Sequence, residues 1–168
     1  MPAIPRCWRS SSPRSCAASL LERHLAFARA DAPPEDAHAL DVDGLADPAV
    51  TLYGYRAGGE LLAVGALKRL DDAHAELKSM HTAQTARGRG VGRSMVEHLI
   101  AVARERGYRT LSLETGAGST FAPARRLYAS AGFVSCEPFA EYVVSPNSVY
   151  MTLALDGQSR GGPDDPAG

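Results

Sequence analysis

The run QTARGRGVGRSMVEHLIAVARERG, residues 84–107, constrains this chain more than any other stretch. Its first half sets glycines at 88, 90 and 92 among arginines at 87, 89 and 93. Its second half repeats apolar residues at helical spacing: Val91, Met95, Val96, Leu99, Ile100, Val102 and Ala103 share one stripe. Gly107 follows where a left-handed residue ends such a helix. A glycine-rich turn feeding directly into a helix exposes backbone N–H groups beside the positive end of the helix dipole, which is the physical basis of an anion site. On the loop alone, a plain turn with solvated arginines is the alternative.

Spacing removes the familiar phosphate motifs. A dinucleotide fingerprint, G-x-G-x-x-G, needs a glycine where Arg93 stands. A P-loop needs a lysine, and residues 84–107 contain none. An RGG-type nucleic-acid segment is repetitive, whereas this run occurs once and continues as a helix. Charge agrees: 18 Lys and Arg stand against 19 Asp and Glu, a net −1 that offers no basic field to nucleic acid or membrane.

Around this run the chain reads as one domain of alternating elements. LLERHLAFARA, from Leu20, has helical periodicity, and residues 31–48 are a proline- and acid-rich loop or short helix. VTLYGYRAGGELLAVGALKRL reads as two strands turned at Gly58 and Gly59, and AELKSMHT as a third after the Asp71–Asp72 turn. TLSLET, 110–115, is a strand; Pro123 opens a helix closed by Gly132; and two last strands are expected at 136–142 and 149–155. The fold class is α+β, or mixed α/β, around one sheet. Residues 1–19, rich in Ser and Arg and without an acid, read as a poorly ordered leader, and 156–168 as a disordered tail. Three cysteines (7, 16 and 136) in no CxxC spacing fit neither a disulfide framework nor a zinc site. No apolar run approaches the length of a spanning helix, so a cytoplasmic protein is expected.

The loop Arg87-Gly88-Arg89-Gly90-Val91-Gly92 resembles the R/Q-x-x-G-x-G/A segment of the GNAT superfamily, the acetyl-CoA-dependent N-acetyltransferases. LKSMHT is similar to that family's fourth strand, and ARRLYASAGF to its recurrent A-x-x-L-Y-x-x-x-G-F segment. HALDVDGL, LSLETG and PNSVYMTLAL narrow the resemblance to a bacterial branch of small members, over residues 20–155. It implies a single domain with a mixed, mostly antiparallel, splayed sheet flanked by helices. Two departures stand out: residues 1–19 lack the family's opening strand, and Phe121 replaces an Asn that often bonds the cofactor.

The resemblance implies acetyl-CoA as donor, a small-molecule amine or amino-acid-like acceptor, and no metal; related proteins frequently form a homodimer, and the sequence leaves the oligomeric state open. A coenzyme-A-binding sensor without efficient catalysis is the alternative. Arg87, Gly88, Arg89, Gly90, Val91, Gly92 and Arg93 would receive the pyrophosphate, while Met80, His81 and Thr82 would pair with the pantetheine arm. Glu76 stands eleven residues before Arg87, the same remove as the general base in the histone-acetylating branch, and a salt bridge with Lys78 is its plainer role. On a regular strand Glu76, Lys78 and Met80 would share one face, with Leu77, Ser79 and His81 on the other. Tyr128 is the acid candidate, although it also lies on an apolar stripe with Phe121, Ala124 and Leu127. His38, Glu141, Tyr142 and Asn147 are the candidates for the acceptor pocket.

Overall fold

The glycine pair at 58 and 59 turns a hairpin between Val50–Ala57 and Glu60–Arg69, with φ of 58° and 82°. Positive φ at both central residues matches the twist of the strands it joins, and glycine adopts it without a Cβ clash. The computed structural model describes residues 8–9 and 47–156. In it these two strands are β2 and β3 of a seven-stranded sheet. The others are β1 (Trp8–Arg9), β4 (His74–Thr82), β5 (Thr110–Gly116), β6 (Val134–Ser135) and β7 (Ser148–Ala154), in spatial order β1-β2-β3-β4-β5-β7-β6. Every neighbouring pair is antiparallel except β4 with β5. The mixed, mostly antiparallel sheet is therefore present.

Two helices follow the sequence pattern. In α1 (Val91–Glu105), Met95, Val96, Leu99, Ile100 and Ala103 are buried against Leu67, Leu77, Leu111 and Leu113 of the sheet. Gly107, at φ 82°, ends it, and the Tyr108 amide reaches back to the Ala103 carbonyl at 3.1 Å. The second helix, α2 (Ala122–Ser130), repeats the device: Gly132 sits at φ 98°, and the Phe133 amide bonds the Tyr128 carbonyl at 3.1 Å. Tyr128 and Phe133 join the same apolar cluster as α1, so both helices cover one face of the sheet. The other face carries Val64 with Leu52 and Leu61 beside it. Among the described residues no helix is long and apolar enough to cross a membrane.

Two differences from the sequence reading have local causes, the shortened strand after α2 and a bulge in β4. The strand expected at 136–142 is confined to Val134 and Ser135, because Pro138 offers no amide to a ladder and Ala140 turns the chain at φ 51°. Within the leader, Trp8 and Arg9 pair with Gly54 and Tyr53 as an edge strand. The alternation along β4 breaks at Ser79, whose φ is 54°: Lys78 lies opposite Ala66, but His81 lies opposite Val64. This bulge inverts the faces beyond it. Met80 turns to the helical side, where it packs with Gly65, Leu99 and Met95, and His81 returns to the face of Lys78. The helix expected at 20–30, residues 31–46 of the loop that follows it (His38 among them), and residues 157–168 of the expected tail lie outside the described residues.

Candidate active site

Strands β4 and β5 pair only at their starts, His74 with Thr110, Ala75 with Leu111 and Glu76 with Ser112. Beyond Glu76, β4 stays with β3 as far as Thr82, whereas β5 stays with β7 as far as Gly116. The ladder between β4 and β5 ends there although both strands continue, so the two splay apart, and the bulge at Ser79 bends β4 further. The opening is a cleft of about 500 Å³. Glu76, Lys78 and Tyr142 line one end, and Arg87, Gly88, Gly90 and the first turn of α1 line the other.

At the α1 end, Gln84–Ala86 forms a 3-10 turn, Gly88 adopts φ 72° and Gly90 caps the helix at φ 80°. No side chain caps this helix and no acid stands in its first turn, so its leading amides and its dipole face the cleft unopposed. A Cβ at Gly92 would lie 3.2 Å from Thr82 Oγ1 and 3.4 Å from Leu127 Cδ2, so its bare backbone lets α1 seat closely against β4 and α2. Of the arginines, Arg87 and Arg93 line the cleft. Arg93 is also tied to Glu97 at 3.2 Å and to Ser130 Oγ at 3.0 Å. Arg89 donates to the Thr85 carbonyl at 3.4 Å and does not reach the cleft lining.

At the other end, Glu76 is only 2% exposed. Its Oε1 accepts from Lys78 Nζ at 3.0 Å and from the Tyr142 hydroxyl at 2.5 Å, while Lys78 Nζ also donates to the Tyr142 oxygen at 2.6 Å. Burial, reinforced by the Glu76 charge, holds the Tyr142 phenol far above its ordinary range, so it stays a neutral donor. The Tyr128 ring packs edge-on against Phe133 at 5.9 Å, and burial followed by the Glu114 charge raises its phenol well above the ordinary value. Tyr128 also lines the cleft. Asn147 joins the lining, whereas Glu141 is exposed and stands outside it.

The structure thus gathers Glu76, residues 80–82, most of the glycine loop, Tyr128, Tyr142 and Asn147 around one space. The sequence reading missed Ser79, Glu114, Thr115, Gly116 and Leu127, which also line it. The Ser79 hydroxyl is buried there with no partner among the described residues. Glu114 and Gly116 were findable, since they lie on the same face of β5 as Ser112. Ser79 was not, because nothing in the sequence marks a serine as a left-handed bulge.

The acetyltransferase (GNAT) family model matches residues 17–133. The chain is a GNAT N-acetyltransferase. It is 47% identical over 137 residues to the uncharacterized N-acetyltransferase YsnE of Bacillus subtilis, covering 82% of this enzyme and 91% of that one. It is 43% identical to YedL, an uncharacterized N-acetyltransferase of Escherichia coli, again over 137 residues and covering 82% and 86% of the two chains. Among solved structures, a GNAT acetyltransferase of Elizabethkingia anophelis with acetyl-CoA bound superposes with a TM-score of 0.66 at 18% identity. That match covers 89% of this acyltransferase and 97% of the other.

Proposed function

We propose that this enzyme moves an acetyl group from acetyl-CoA directly to the amine of a small-molecule or amino-acid-like acceptor. One observation carries the reading: the cleft runs continuously from a buried carboxylate at the strand junction to an uncapped, glycine-rich helix N-terminus. Such an end suits the pyrophosphate of coenzyme A, because several amides and the helix dipole meet one doubly charged group. Residues 80–82 line the middle, where a pantetheine arm can lie along a strand that has lost its neighbour. The donor bound in the Elizabethkingia structure supports the same choice.

The chemistry assigns three tasks. The acceptor nitrogen attacks the thioester carbonyl, a C–N bond forms, the C–S bond breaks, and the amine's proton must leave. Glu76 takes that proton as general base. A backbone amide of residues 80–82 meets the developing oxyanion. Tyr128 faces the departing sulfur. A phenol that holds its proton this firmly acts chiefly as a hydrogen-bond donor to the thiolate, since full transfer would be uphill. Tyr142 and Asn147 bound the acceptor end, while exposed Glu141 stands outside the cleft lining. A cytoplasmic enzyme that needs no metal completes the reading.

Acetyl-CoA should raise the melting temperature, and CoA release should appear with at least one member of a panel of amino acids, polyamines, aminoglycosides and peptide N-termini. No stabilisation by acetyl-CoA sinks the donor assignment. A second reading, a coenzyme-A-binding module without efficient catalysis, draws on the two donors already held by Glu76 Oε1. Tight acetyl-CoA binding with no thiol release across the panel favours it.

A further inference from the structure

We infer that Lys78 and Tyr142 are positioning residues that clamp the Glu76 carboxylate, fixing its orientation and leaving its second oxygen for the acceptor's proton. This rests on the reading of Glu76 as the base. Both donors converge on Oε1 and bond each other, so the three side chains close a ring. Oε2 has no hydrogen bond among the described residues. Two donors on one oxygen fix the side chain's rotation and direct the remaining lone pairs to the cleft that Glu76 lines.

The clamp answers a specific difficulty. Burying a charge is costly unless it is paired and hydrogen-bonded, and Glu76 is only 2% exposed. A cation beside it and a phenol donating to it both favour the charged form. Lys78 supplies the first from two residues along β4, and Tyr142 supplies the second from the loop between β6 and β7. That loop is built to deliver the phenol. Its turn is closed by the Tyr142 amide on the Phe139 carbonyl at 3.0 Å. The Tyr142 ring is held edge-on by Phe139 at 5.1 Å and in a tilted contact by Tyr150 at 5.7 Å. Tyr150 in turn donates its hydroxyl to the Val143 carbonyl at 2.7 Å, tying the next residue down.

Other charged and titratable groups share this face: Lys68 opposite Glu76 on β3, His74 and His81 on β4, Glu114 on β5 and Tyr150 on β7. His74 bonds Ser112 at 2.8 Å, not Glu76. These groups set a background field that is common to all the variants below.

The test is carboxyl-carbon NMR of the full chain labelled at Glu, with the Glu76 signal assigned by Glu76→Gln. The pH midpoint of Glu76 should rise in Tyr142→Phe and should rise further in Lys78→Met, by about 1–3 units on loss of the neighbouring cation. Lys78→Arg should restore most of it. Tyr142→Phe conserves the ring, so it keeps the measurement available if Lys78→Met fails to fold. In CoA-release assays with the amine that responds, the acid limb of kcat should follow the NMR midpoint while KM for acetyl-CoA stays near the parent's. An unmoved midpoint in Tyr142→Phe and Lys78→Met overturns the clamp whatever Glu76 does in catalysis. A moved midpoint with Glu76→Gln turning over as fast as the parent overturns the base reading, and the clamp's catalytic role with it.

Discussion

Gly90 caps α1 at φ 80°, and a Cβ built there would meet nothing within 4 Å. A substitution at this position therefore acts through backbone conformation and not through a clash. Gly90→Ala forces an L-residue into the left-handed region, at about 1–2 kcal/mol. At about 2–4 °C per kcal/mol for a domain of this size, melting should fall by about 2–8 °C. Gly90→Asn should lose less, because Asn tolerates that region. Gly90→Val cannot hold the conformation, so the loop re-forms and the leading amides of α1 turn away from the cleft. Each charge-assisted hydrogen bond lost to the pyrophosphate should weaken binding by about 1.5–3 kcal/mol, or about 10- to 150-fold. Calorimetric titration with acetyl-CoA and with acetyl-pantetheine, which lacks the pyrophosphate, separates the contributions. Gly90→Val should weaken acetyl-CoA strongly and acetyl-pantetheine little, with Gly90→Asn near the parent for both. Equal weakening of the two ligands, or none, refutes the assignment of the loop.

Gly65 faces the helical side of β3, where a Cβ would lie 2.5 Å from Met80 Sδ and 2.8 Å from Leu99 Cδ1. Gly65→Ala should destabilise by about 1–3 kcal/mol in chemical denaturation, and a neutral result contradicts the packing of Met80 on that side. Tyr128 and Tyr142 both hold their protons above the unfolded value of 10.0. Their contribution is therefore complete below about pH 10 and is lost as pH rises, by about 1.4 kcal/mol per pH unit for each tyrosine that stays protonated only in the folded state. Urea midpoints above pH 10 should show that slope, and Tyr142→Phe should roughly halve it. An unchanged slope would mean that the Tyr142 phenol is not held as described.

Most of the frame was legible because its causes are local. The α1 stripe, the glycines that end both helices and the hairpin pair need only neighbouring residues to specify them. Glu76 and its link to Lys78 were also readable, since the two lie on one strand two residues apart. Two things were not readable. The bulge depends on Ser79 taking φ 54°, and serine gives no sign of it, so Met80 and His81 were placed on the wrong faces. The third member of the Glu76 cluster, Tyr142, arrives from 66 residues away through a loop that pattern alone reads as a strand. Tyr142 was therefore noticed as an acceptor candidate, while its bond to the candidate base required the fold.

The most direct test of the proposed site is a crystal structure of the enzyme with acetyl-CoA. The pyrophosphate should lie on the amides at the start of α1, the pantetheine along residues 80–82, and the thioester between Glu76 and Tyr128. A pyrophosphate bound away from Gly90 and Gly92, or a thioester remote from Glu76, would contradict it.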